Sequence, residues 1–417
     1  MPVQPSVVWI TSGFPYGGGE QFIETEVPHW AEFKGRVIFL PENHMGRGKR
    51  PTPPEVEVDT GLMSDWHRRS AQLKNSFKAL FSPVLWRELR YLFGTKRVSF
   101  YKLKHAFLSV VRVQMELQHL RRIAAGLRRP IDVVYTYWFS VGTCAAVLAQ
   151  REGIVRKVVS RAHNSEYYED ARPEGYTALM RQFAPEIHTL AVISQDAADY
   201  ATRYGLGPDQ VKVCRLGVLD GPMCAPAGPG TLELMSVSTL SRFKQLHIMI
   251  DAVRLIAEAL PEVEVVWRHA GDGPLHDELH ALADTKLKGV PNLTHEMLGH
   301  INNPDLLKLY ADSSVDLFLN TSSKEGVPVS IMEAMVRGVP AIAPDVGAIR
   351  EVVLPELLLP ADLSPKDLAE RVVAYHERAK DPAFRQRVRE HALSSYHADT
   401  NYPAFVRYIG EMAGQDG

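Results

Sequence analysis

Two glutamates, Glu325 and Glu333, bracket the start of an apolar-periodic run in NTSSKEGVPVSIMEAMVRGVP (320–340). Pro328 stands where a first helical residue would be, which its fixed φ favours. Ile331, Ala334, Met335 and Gly338 then recur at helical spacing, so Glu325 falls in a loop and Glu333 about one turn into a helix. Two carboxylates flanking a helix N-terminus suit a nucleotide sugar. The amides around Gly326, Val327, Val329 and Ser330 can take a diphosphate. One carboxylate can bridge the vicinal hydroxyls of a ribose while the other holds sugar hydroxyls. The plainer reading is acids that only complement the helix dipole.

A second candidate is SGFPYGGGEQFIETEV (12–27), a glycine-rich turn after the first strand. Gly17, Gly18 and Gly19 let a ligand approach the main chain, and the helix that follows offers free amides to phosphate. The turn matches neither G-x-G-x-x-G nor the Walker A pattern. His163 comes between KVVSR and NSEYY, at the C-terminal end of a strand, where sites in α/β sheets lie. The histidines at 269, 276, 280, 295 and 300 are scattered and read as structural or exposed. Cys144, Cys214 and Cys224 show no metal-ligand spacing.

These residues need elements to position them. Short β-branched runs at 6–11, 36–40, 132–137, 157–161, 188–193 and 211–216 alternate with helical stretches such as 20–33, 140–152 and 195–204. That alternation predicts parallel βα units. The stretch 217–230 holds four Gly and three Pro and reads as a linker. The pattern then restarts, with strands at 232–238, 263–271, 292–298, 315–320 and 339–344. Helices are predicted at 245–260, 275–285, 303–312, 329–337, 365–380 and 383–394. The expectation is an α/β chain of two doubly wound, Rossmann-like domains facing a central cleft. The first spans 1–218, the linker 219–231 and the second 232–396, and a helix in 397–417 packs back toward the first.

The 325–333 string resembles the E-x7-E motif of the retaining glycosyltransferases of family 4, which have the GT-B fold. The resemblance extends over nearly the whole chain. GFPYGGGEQFIETEV is similar to the family's glycine-rich loop, SRAHNSEYY (160–168) to its histidine segment, HAGDGP (269–274) to its second-domain glycine loop and LGHINNPDLLKLY (298–310) to the stretch before E-x7-E. YTYW (135–138) with SSKEGVPVSIMEAM looks closest to bacterial enzymes that build exopolysaccharide, colanic-acid-type or O-antigen lipopolysaccharide units.

The resemblance implies donor roles: Glu333 on the ribose, Glu325 on the donor sugar, Lys244 on the diphosphate and His163 near the reacting carbon. Gly18, Gly19, Gly271 and Gly273 would serve the donor as loop glycines. Two departures stand out. The family usually places an arginine five residues before the lysine, where this chain has Thr239, with Arg242 nearby as a substitute. An Asp often found three residues after the histidine is Glu166 here.

Transfer from a nucleotide sugar must stabilise charge on the leaving diphosphate, tolerate an oxocarbenium-like centre and deprotonate the acceptor. Lys244, Arg242 and the helix N-terminus fit the first need and Glu325 the second. The resemblance implies a retaining reaction. A UDP- or GDP-linked sugar is expected as substrate, with no separate cofactor. No D-x-D motif stands between the domains, so no metal is expected in the chemical step.

Net charge is −2, yet residues 66–130 hold fifteen Lys and Arg against two acids, Glu88 and Glu116, interleaved with aromatic residues. Such a segment suits an anionic membrane surface, although a solvated helical face over a core has the same composition. No zinc-finger, RRM or helix-turn-helix signature points to nucleic acid. No apolar run approaches the ~18 residues of a spanning helix, and no basic stretch precedes the first strand as in a signal peptide. The chain is expected to be cytoplasmic, peripheral on the inner face of the membrane, with a lipid-linked or oligosaccharide acceptor. A soluble acceptor, a nucleotide-sugar 2-epimerase and a non-enzymatic sugar-binding protein are the alternatives.

Overall fold

In the computed structural model, which describes residues 4–17, 20–43, 48–163 and 166–414, the chain divides into two compact units. One is Met1–Arg215 with Asp399–Gly417, the other Leu216–Ala398. Gly18 and Gly19 lie outside the described residues.

The first unit is built on seven strands: β1 (Ser6–Thr11), β2 (Arg36–Pro41), β3 (Val56–Val58), β4 (Ile131–Thr136), β5 (Val155–Ala162), β6 (Thr189–Val192) and β7 (Val211–Val213). All pairings are parallel, in the order β3-β2-β1-β4-β5-β6-β7. Alternate side chains of a strand point to opposite faces. Val8, Ile10 and Val134 accordingly join the helices Phe100–Leu127 and Val141–Arg151 on one side. Val7, Trp9 and Tyr135 join Trp30, Phe405 and Ile409 on the other. With both faces covered, the strands read in sequence as nearly continuous apolar runs.

Phe405 and Ile409 belong to the last helix, Ala398–Met412, which packs on this first unit. Beneath it Arg161 and Glu26, both fully buried, form an ion pair of 2.7 Å. The Arg161 guanidinium lies 4.2 Å from the centre of the Phe405 ring, and Glu26 also accepts from Tyr135 and Trp30, each at 3.3 Å. Buried charges persist only when paired and hydrogen-bonded in this way. The preceding helix ends at Tyr396 and this one begins at Ala398, so His397 alone separates them.

The second unit has six parallel strands: β8 (Thr231–Val237), β9 (Glu264–Ala270), β10 (Leu293–Gly299), β11 (Leu317–Leu319), β12 (Ala341–Pro344) and β13 (Leu358–Leu359). Their order is β10-β9-β8-β11-β12-β13. The short strands β3 and β13, three and two residues long, carry too few residues to show periodicity and were not expected. The glycine- and proline-rich stretch after residue 217 is not a free tether. Cys224 N–H donates to Arg337, Ala227 N–H to the Asp316 carboxylate and Arg385 to the Cys224 carbonyl, so the segment is bonded into the second unit.

In each sheet the strand order reverses at one place, between β1 and β4 and between β8 and β11. Ligands of open α/β sheets bind beyond the C-terminal strand ends at such switch points. The glycine-rich turn follows β1, Tyr137 and Trp138 follow β4, Lys244 follows β8 and Glu325 follows β11. Among the described residues, no helix is long and apolar enough to cross a membrane.

Candidate functional site

Beyond β8 and β11, two loops are bonded side by side. Arg242–Lys244 form a single 3-10 turn, and Gln245 in left-handed conformation leads into the helix Leu246–Ala259. The loop after β11 lies against that turn: Thr321 donates to the Lys244 carbonyl at 2.8 Å and Ser323 N–H to the Phe243 carbonyl at 2.8 Å. This brings Lys244 Nζ to 2.5 Å from Glu325 Oε1. The same oxygen accepts from Ser322 at 2.7 Å and from Asn320 at 3.4 Å. Oε2 takes no partner from the described residues. The carboxylate is thus oriented by one oxygen and offers the other, while two of the three Lys244 N–H groups remain available.

Glu333 lies in the helix Val329–Met335, buried at its side chain and hydrogen-bonded through Oε1 to the Asn303 amide at 2.5 Å. Burial raises its carboxyl above the ordinary range, against the opposing influence of Asn303 and the Arg337 guanidinium. Gly326 and Val327 are buried, and Val329 and Ser330 form the first helical positions, whose N–H groups have no intrahelical acceptor. Arg242 and Thr239 are both exposed.

Gly271 and Gly273 have a packing duty in the structure. A side chain on Gly271 would meet the Ser238 carbonyl at 1.8 Å, and one on Gly273 the Leu240 carbonyl at 2.6 Å. Both press the post-β9 loop against the turn that leads to Lys244. His269 is structural: it bonds Ser236 at 2.8 Å, and burial lowers its imidazole to about 4.

Gly347 holds the Glu325 loop from below. Its φ is +53°, and a Cβ there would stand 2.0 Å from the Glu325 carbonyl oxygen. Left-handed backbone costs a residue with a side chain roughly 1–2 kcal/mol, and the overlap adds displacement of the loop. Gly347→Ala is therefore expected to lower the melting temperature and, in the folded fraction, to cut turnover more than nucleotide affinity. A variant with unchanged melting and turnover would show that the loop needs no such support.

In the first unit, Glu20 closes the glycine-rich turn. Its carboxylate accepts from the backbone of Ser12, Gly13 and Phe14 at 2.8, 2.8 and 2.7 Å and from the Trp138 indole at 2.5 Å. His163, just after β5, is buried between Tyr137 and Trp138, with ring centroids 4.7 and 4.6 Å away. Neither ring nitrogen makes a hydrogen bond among the described residues, although Nδ1 is 3.4 Å from Glu166. Glu166 accepts the His163 N–H at 2.6 Å. Burial favours its neutral form, but the His163 backbone N–H and the imidazole beside it outweigh that and hold the carboxyl below its usual range.

Sequence reasoning singled out Glu325, Glu333, Lys244 and His163 but missed Asn303, Asn320, Ser322, Glu20 and Trp138. Each stands inside or beside a string already noted. Their roles as orienting partners depend on contacts across as many as 118 positions. No group of three or more His, Cys, Asp or Glu able to hold a metal occurs among the described residues.

Residues 231–378 match the family model described as Glycosyl transferases group 1. A putative colanic acid biosynthesis glycosyltransferase, WcaL of Escherichia coli K12, is 27% identical over 223 residues, which are 51% of this chain and 53% of that protein. The chain spans about half the length of the curated relatives it matches. The lipopolysaccharide outer core galactosyltransferase WaaB superposes with TM-score 0.66 at 14% identity, covering 98% of this chain and 99% of that one. Anabaena HepE in complex with UDP and glucose superposes with TM-score 0.61 at 16% identity, covering 98% and 100%. At these identities the likeness is one of fold: two parallel-sheet Rossmann-like domains of the GT-B class.

Proposed function

We propose, from the premise that residues 231–378 form a glycosyl transferases group 1 domain, that this chain transfers a sugar from a UDP- or GDP-linked donor to a lipid-linked or polysaccharide acceptor, with retention, in bacterial surface-polysaccharide synthesis. The observation that carries the reading is the Lys244–Glu325 pair at 2.5 Å, at the second sheet's switch point, with Glu333 one helical turn beyond. The names of WcaL and WaaB support the choice of product class.

In this reading Lys244 moves from Glu325 to the diphosphate and neutralises charge as the bond to the leaving group breaks. Glu325 holds sugar hydroxyls and stabilises the electron-poor ring. Glu333, oriented by Asn303, accepts from the ribose hydroxyls. Arg242 is exposed on the same turn and supplements Lys244. In the first unit, His163 serves the donor sugar and Gly18 and Gly19 the phosphates. The acceptor hydroxyl loses its proton to the departing phosphate, without a metal. The basic segment 66–130 adsorbs to anionic lipid, placing the protein peripherally on the inner face of the cytoplasmic membrane.

A ligand that binds only the folded state raises its stability by mass action. A thermal-shift screen should find one nucleotide sugar that stabilises the chain, and nucleoside diphosphate should be released only when lipid extract or oligosaccharide acceptor is added. If no nucleotide sugar stabilises the chain, or if release needs no acceptor, the proposal fails.

A further inference from the structure

The basic segment divides in two when its partners are counted. Arg121, Arg122 and Arg129 toward its C-terminal end are held by Glu152, Asp59 and Asp132. Nearer its start, Arg69, Lys74, Lys78, Arg87, Arg90 and Lys96 form no ion pair among the described residues, while Arg68 pairs with Asp65 at 3.4 Å. The unpaired cations sit on or beside the helices Arg69–Leu80 and Pro83–Gly94.

The same two helices expose large apolar side chains. Nine of the fourteen such side chains among the described residues fall between 73 and 108, six of them on or between these two helices. On the first helix Leu73, Phe77 and Leu80 repeat at helical spacing, followed by Phe81. On the second, Trp86, Arg90 and Phe93 do the same. Phe77, Phe81 and Trp86 are 66%, 71% and 61% exposed. The Phe77 and Phe81 rings lie 5.1 Å apart, and the Trp86 indole donates to the Leu80 carbonyl at 2.9 Å, which fixes it at the turn between the helices.

The opposite faces are anchored. Val84, Leu85 and Leu92 are buried, and buried Glu88 accepts from Tyr176 at 2.8 Å and Gln182 at 2.6 Å. The outward face is therefore set by the core beneath it.

We propose that this helix pair is a membrane-insertion surface: Phe77, Phe81 and Trp86 enter the acyl region of an anionic bilayer while the unpaired Lys and Arg meet its headgroups. This deepens the membrane reading above and rests on it, because electrostatic adsorption alone requires no apolar penetration. A cationic rim around exposed aromatics complements an anionic interface, and stable anchoring commonly takes two such signals.

The test mixes the full chain with phosphatidylglycerol–phosphatidylcholine vesicles, phosphatidylcholine vesicles, and anionic vesicles with brominated acyl chains. Brominated chains should quench tryptophan emission, and Trp86→Phe should abolish the quenching. Trp86 reports alone here because Trp9, Trp30 and Trp267 are buried and Trp66 and Trp138 half-buried. Phe77→Ser with Phe81→Ser should weaken anionic-vesicle partitioning by at least about tenfold and leave nucleotide-sugar binding unchanged.

Salt-reversible binding without quenching would overturn insertion and keep adsorption. Absence of binding to anionic vesicles would overturn the membrane reading itself. Equal binding to phosphatidylcholine vesicles would overturn the charge complement. Concentration-dependent self-association that the double variant abolishes, with no vesicle binding, would make the face a contact between copies of this chain.

Discussion

Glu325→Gln is expected to reduce turnover by about two to three orders of magnitude, the scale seen when one aligned transition-state contact is removed, while nucleoside-diphosphate affinity stays near normal. The glutamine keeps the size of the side chain and can still accept from Ser322 and Asn320, so the loop should hold its shape. What it loses is the negative charge. That charge serves twice in the proposed reaction: it parks Lys244 in the absence of donor, and it faces the electron-poor sugar when the leaving-group bond stretches. Its removal frees Lys244 for the diphosphate, which preserves or slightly strengthens nucleotide binding.

The two effects should therefore separate, with kcat falling and the dissociation constant for UDP or GDP almost unmoved. Lys244→Met is the opposing control, since it should weaken binding of the diphosphate as well as turnover. Loss of nucleotide binding in a folded Glu325→Gln protein would show that Glu325 acts on the nucleotide and that the two glutamates have been assigned the wrong way round.

Glu333→Ala is expected to raise the dissociation constant for free nucleoside diphosphate and for donor together. A hydrogen bond to a charged group is worth roughly 1.5–3 kcal/mol, and about 1.4 kcal/mol is a factor of ten, so the loss should be about tenfold to a hundredfold. The change also leaves the Asn303 amide without its acceptor, so thermal melting must accompany the titration, and Glu333→Gln provides the version that fills the space. The pH dependence has a definite sign. Burial raises the Glu333 carboxyl, so on acidification it takes up a proton at a higher pH than an exposed glutamate would. Nucleotide affinity should weaken from that higher pH downward, and the Gln variant should lack this limb. A folded Ala variant with unchanged nucleotide affinity would remove Glu333 from the ribose.

The course of the strands was legible because burial on both faces writes itself into each strand as an apolar run. The predicted strand at 6–11 is β1 residue for residue, and the predicted helix at 303–312 coincides with Asn303–Asp312. The Gly/Pro stretch shows the limit of such reading, because composition reports what a backbone can do locally. It cannot report that Asp316, nearly ninety positions away, accepts the Ala227 N–H at 2.9 Å. Likewise the letters of Gly271 and Gly273 do not record that the carbonyls of Ser238 and Leu240 press against them.

By itself the sequence determined the α/β class, the two doubly wound units and the loop-then-helix placement of Glu325 and Glu333, because all three rest on the periodicity of neighbouring residues. Only the tertiary structure decided that Lys244 meets Glu325 across 81 positions, that Glu20 closes the glycine-rich turn with Trp138, and that Asn303 steadies Glu333. It also decided which parts of the basic segment are neutralised and which aromatics face outward. Side-chain orientation and pairing are set by what packs against an element from distant parts of the chain, and local order in the sequence carries no record of that.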